Sequence, residues 1–190
     1  MEQVLRRVDS LAASGMVLGY PPTGRITALS REWETAGEQI EMTRDGLLAA
    51  MAGLGKEPFS FQYWLTDTED EASVICLLSQ VGADVVVEDY SLDGFGGPVY
   101  RLGQNTVIRR ILAEFRATPS AVGLIVDRWG ESKETDLDDI VTGGPTPVTI
   151  VPELLVLRPE VARLHPELPA LVPFDGFLAC DTDGILALAG

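Results

Sequence analysis

The clearest pattern in the chain lies in its middle third. Phe59, Phe61, Tyr63 and Leu65 alternate with Ser60, Gln62, Trp64 and Thr66, the period of two that a half-buried strand requires. A charged turn follows, and then residues 73–79 are almost continuously apolar, as in a central strand. Gln80-Val81-Gly82 turns the chain into a third run at 84–90. The connections are too short for a parallel crossover, so these segments predict an antiparallel meander. Residues 121–127 read as a further strand of the same sheet.

Helical spacing appears on either side. Val4, Leu5, Val8, Leu11 and Ala12 predict an N-terminal helix, stopped by Gly15, Gly19 and Pro21-Pro22-Thr23-Gly24. Gln39 to Met42 reads as a short strand, and Thr43 is a good N-cap for a helix over 43–53, ended by Gly53 and Gly55. A second helix over 105–117, capped by Asn105, carries Val107, Ile108, Ile111, Leu112 and Phe115 on one face. The fold class these elements imply is α+β: a mostly antiparallel sheet of four or more strands with two helices on one face. Helices cover only one side of residues 73–79, which leaves the other for a tail or a second copy of the chain.

Seven of the twelve prolines fall in residues 143–175. This stretch reads as an extended wrap, with a short helix after Pro159. Residues 177–180 and 185–189 around Asp181-Thr182-Asp183-Gly184 read as a C-terminal hairpin. The expected organisation is a single domain over 1–190: an N-terminal extension 1–42, an α/β core 43–142, and the wrap with its hairpin 143–190. At 190 residues, 46% of them hydrophobic, the chain can bury a full core. No apolar run approaches the roughly 20 residues a membrane span needs, and the start Met1-Glu2-Gln3-Val4-Leu5-Arg6-Arg7 lacks an export signal. The expected location is the cytoplasm. Twelve arginines against two lysines, with abundant Ala, Gly, Pro and Val, suggest a GC-rich bacterial genome.

The net charge is −15. Residues 59–142 carry six basic and fifteen acidic side chains, so most of the excess lies in the middle. Such a surface repels phosphates and anionic lipid, which argues against nucleic acid or membrane as partner and in favour of a basic protein. Catalytic equipment is sparse. Cys76 and Cys180 sit in apolar stretches and read as buried thiols. The single histidine, His165, lies between Leu164 and Pro166 and reads as an exposed turn residue. Gly94-Phe95-Gly96-Gly97 lacks the lysine and the second half of a phosphate loop and reads as a flexible loop. No cofactor is implied.

Two groups of carboxylates stand out. Glu88, Asp89, Asp93 and Asp127 fall at or near strand ends, where they would form a metal or acid–base site if the strands were neighbours. Asp67, Glu69, Asp70 and Glu71 form one exposed acidic turn, and Glu131, Glu134, Asp136, Asp138 and Asp139 form the densest acidic run. Both read as solvated loops whose charges act on a partner more than on folding. In size, charge and lack of catalytic groups the chain resembles the small acidic proteins that bacteria make against toxins. That likeness implies a non-enzymatic binder of a basic protein, such as an immunity protein, with no site residues carried over. The alternatives are a small metal-dependent enzyme using the strand-end carboxylates, or a self-associating structural or regulatory domain that forms a homodimer.

Overall fold

The computed structural model describes residues 2–30, 37–52, 57–67, 72–92 and 100–189. The fold is α+β, with an N-terminal helix and two antiparallel sheets of six and four strands. The chain divides into two compact units, Met1–Gln104 and Asn105–Gly190.

The first unit holds α1 (Glu2–Ala13), β1 (Met16–Val17), β2 (Ile26–Leu29), β3 (Gln39–Met42), α2 (Arg44–Ala52), β4 (Phe59–Leu65), β5 (Ser73–Val81) and β6 (Val85–Ser91). Its sheet runs β3-β2-β4-β5-β6, with β1 also against β4. The 59–66, 73–79 and 84–90 runs thus form the expected meander. Register puts Phe59 opposite Leu78, Phe61 opposite Cys76 and Tyr63 opposite Val74, and all six side chains are buried on one face. Val4, Val8 and Leu11 of α1 and Leu47 and Met51 of α2 are buried as well. Thr43 caps α2 as its sequence predicts, accepting from the Gly46 N–H at 3.1 Å. On the opposite face of β5, Ile75 and Leu77 are half-buried.

The second unit holds most of α3 (Tyr100–Ala117), then β7 (Gly123–Val126), α4 (Leu137–Thr142), β8 (Leu154–Leu157), α5 (Pro159–Ala162), β9 (Val172–Phe174), β10 (Phe177–Asp181) and a 3₁₀ turn, Ile185–Ala189. Its sheet runs β7-β8-β10-β9. Four expectations change here. Residues 123–126 do form a strand, but it pairs with β8 and not with the meander. The proline-rich stretch is more than a wrap: β8, bounded by Pro152 and Pro159, is a central strand with all four residues buried. The hairpin lies earlier than expected. Phe174 pairs with Phe177 across Asp175 and Gly176, both with positive φ, 47° and 86°. That is the turn geometry Asp-Gly favours in two-residue hairpins. Helix α3 also starts before Asn105, which lies inside it and accepts from Arg128 through its side-chain oxygen instead of capping the helix.

In this unit Leu155 and Leu157 pack with Ile140 and Val141 of α4, Val161 and Ala162 of α5, and Val148 and Cys180. Phe115 of α3 lies against Phe177 at 4.9 Å and Phe174 at 6.2 Å between ring centroids. Helix α4 approaches β7 so closely that a Cβ on Gly123 would lie 2.5 Å from Val141 Cγ1. Only glycine fits there.

Candidate functional site

The acidic run occupies the connection from β7 to α4. Glu131, Glu134 and Asp136 are exposed there; Asp138 and Asp139 are half-buried. The expectation that the whole run is merely solvated changes at two residues. Asp136 is the N-cap of α4, accepting from the Asp139 N–H at 3.0 Å. Asp139 accepts from the Thr146 N–H at 3.0 Å, and hydrogen bonds from Thr146 hold its carboxyl below the usual carboxylate range. Gly144 makes room for this carboxylate: a Cβ there would lie 1.9 Å from Asp139 Oδ1. Asp136 and Asp139 therefore hold the local fold, whereas Glu131 and Glu134 are exposed carboxylates on either side of the exposed Lys133. Of the other acidic turn, Asp67 is exposed, and Glu69, Asp70 and Glu71 lie outside the described residues.

The turn that opens this connection, Asp127 to Gly130, is fixed on both sides of Trp129. Before it, Arg128 is buried. Its N–H reaches Glu153 Oε2 at 2.7 Å, its Nε reaches Glu153 Oε1 at 2.8 Å, and an Nη–H reaches Asn105 Oδ1 at 3.3 Å. The guanidinium also pairs with Asp183. Burial works against its charge, but Glu153 and Asp183 outweigh that and raise the Arg128 pKa. Behind Trp129, the Asp127 carboxylate accepts from the Glu131 N–H at 3.1 Å, the Ser132 N–H at 2.9 Å and the Ser132 hydroxyl. Burial pushes the Asp127 carboxyl up. The hydrogen bonds from Ser132, Glu131 and Gly130 outweigh it and hold the pKa below the usual range.

A pH dependence follows. A carboxyl whose pKa is depressed by folding contributes stability above its unfolded value, and that contribution is lost as pH falls through the folded value. Asp127→Asn is expected to melt lower than the wild type at neutral pH. Its melting temperature should also fall less steeply between about pH 5 and pH 2. Parallel wild-type and variant curves over that window would show that Asp127 does not act this way.

Of the four strand-end carboxylates considered from the sequence, Glu88 and Asp89 belong to the first unit and Asp127 to the second. Glu88 and Asp89 point to opposite faces of β6, as neighbours in a strand must. Glu88 faces inward, 3.0 Å from Arg7 Nη1 and accepting from the Tyr90 hydroxyl at 2.6 Å. Asp127 belongs to the second sheet's turn, and Asp93 lies outside the described residues, as does the glycine cluster 94–97. Among the described residues, no group of three or more His, Cys, Asp or Glu side chains could hold a metal ion.

His165 corrects the reading of an exposed turn residue. It is 3% exposed, with Nδ1 3.3 Å from Glu167 Oε1 and Nε2 buried without a partner. The reason is the turn that follows α5, in which the His165 N–H donates to the Ala162 carbonyl at 3.2 Å and folds the residue back against the helix end. Both thiols are buried, as expected, and burial pushes each pKa up. An open cleft of about 380 Å³ in the first unit is lined by Val8, Asp9, Arg25, Met42, Thr43 and Arg44, among others. Its arginines are held by Glu41 and Asp9.

No described helix is long and apolar enough to cross a membrane. Comparison of the chain with family models, with curated proteins and with solved structures finds no match.

Proposed function

We propose that the protein is a non-enzymatic binder of a basic protein, in the manner of an immunity protein that neutralises a bacterial toxin. The observation that carries this reading is the −15 charge together with the exposed Glu131 and Glu134 on a connection whose backbone is tied down around them. Exposed acidic groups accelerate encounter with a basic protein and orient it on approach. The cytoplasm and a bacterial source belong to the same proposal. The acidic turn at Asp67 belongs to the same proposal as a second place for a basic protein to dock.

The test begins with proteins encoded beside this chain's gene. Each basic one is purified and its association with the chain timed at low and physiological salt. Reversing Glu131 and Glu134 to lysine is expected to slow association roughly tenfold at low salt and to flatten the salt dependence. Folding should change little, since exposed charges contribute under about 1 kcal/mol each. Lysine at Asp136 or Asp139 is a poor probe of binding, because it removes a helix cap or the Thr146 contact. If no basic neighbour binds and titration calorimetry instead finds tight binding of Mg²⁺, Mn²⁺ or Ca²⁺, this reading fails and the metal-dependent enzyme takes its place.

A further inference from the structure

We propose that Trp129 is the aromatic anchor of this interface, and that the basic partner meets it with an arginine side chain. The inference rests on the binding reading above and adds its central contact.

Trp129 is 52% exposed. The backbone on either side of it is held in place. The residue before it is pinned by a buried guanidinium with Glu153, Asn105 and Asp183 as partners. The residues after it are pinned by Asp127, and Ser132 is fully buried. Gly130 closes the turn at φ 64°, a conformation that other residues adopt reluctantly. A side chain presented from a preordered backbone loses less entropy when a partner covers it. Tryptophan is the residue most often found at the energetic centre of an interface.

Charge selects the partner's chemistry. Glu131 and Glu134 follow the indole closely in the chain, and both are exposed. An arginine is the side chain that satisfies both features at once. Its plane stacks on an indole face, and its N–H groups reach neighbouring carboxylates.

The probe is a 15-residue peptide alternating arginine and glycine, compared with the same peptide carrying neutral citrulline. Affinity is measured by titration calorimetry at 50 mM salt for the full-length wild type, Trp129→Ala, Leu164→Ala and the Glu131→Lys/Glu134→Lys pair. The expected result is binding of the arginine peptide alone, weakened at least tenfold by Trp129→Ala and left unchanged by Leu164→Ala, a control at another exposed apolar residue. A second readout is independent of any change in folding. In wild type labelled with 5-fluorotryptophan, the resonance assigned to Trp129 should shift on adding the arginine peptide. If binding is lost in the charge-reversal pair but Trp129→Ala binds normally and the Trp129 resonance of the wild type stays still, the anchor is wrong and the acidic surface stands. If the two peptides bind alike, or neither binds, the basic-partner reading fails and the anchor falls with it.

Discussion

Replacing Glu153 with alanine is expected to lower the folding stability by about 3–5 kcal/mol, the usual cost of removing one partner of a buried ion pair. The side chain of Arg128 is only 4% exposed, and Glu153 accepts from both its backbone N–H and its Nε. Alanine would leave a buried guanidinium with Asn105 and the more exposed Asp183. Neither can reach the vacated backbone N–H from the position it holds on the guanidinium. Glutamine keeps one carbonyl oxygen as acceptor and should cost distinctly less. Glu131→Ala, on the exposed side of the same turn, should stay within about 0.5 kcal/mol. Urea unfolding of the three variants gives the ranking. If Glu153→Ala unfolds within about 1 kcal/mol of the wild type, Arg128 finds water or another carboxylate, and the turn that carries Trp129 is looser than its hydrogen bonds imply.

The elements that were legible in the sequence are those whose signal is local. Phe59 to Leu65 alternates because one side of β4 faces a core, and Thr43 is a cap because its hydroxyl reaches only a few residues ahead. Sheet membership is not local. β7 is a short apolar run like those of the meander, and its true partner, β8, comes almost thirty residues later. β8 was masked by its surroundings: Leu154 to Leu157 is an unbroken apolar run, but the prolines on either side speak first for a wrap. Asp175-Gly176 between Phe174 and Phe177 carries a plain hairpin signal, but Asp181 to Gly184 carries a competing turn signal only five residues further on.

The same distinction governs the candidate site. Net charge and the acidic run can be counted in the sequence, so a charged surface was foreseeable. Which carboxylates are committed was not. Asp136 and Asp139 look alike in the sequence, yet one caps the start of a helix and the other holds the Thr146 N–H. Glu88 looks like a residue of a solvated strand end until register places it opposite Leu78, under the sheet and beside Arg7. Arg128 gave the least warning. Basic side chains are rarely buried unless paired, and its partners Asn105, Glu153 and Asp183 lie 23, 25 and 55 residues away in the chain.

The strand that supplies Glu153's support gives the other large effect. Leu155→Ala is expected to destabilise the protein by about 2–5 kcal/mol, the transfer loss plus the cavity left behind. Leu155 is fully buried, paired with Ile125 on one side and Cys180 on the other, and packed in the cluster with α4 and α5. A central strand cannot shift to fill the space without disturbing both neighbours. Leu155→Met conserves volume and should cost under about 1.5 kcal/mol, while Ile150→Ala, at a residue 43% exposed, should cost far less than Leu155→Ala. Denaturant unfolding of the three variants checks the order. The effect should reach the surface as well. Glu153 immediately precedes β8, and its carboxylate holds Arg128 only if the start of that strand is in place. Hydrogen exchange should therefore show faster exchange at the Arg128 N–H in Leu155→Ala than in Ile150→Ala. Unchanged protection at Arg128, despite the stability loss, would mean that the turn is held by Asp127 alone and does not depend on the packing of β8.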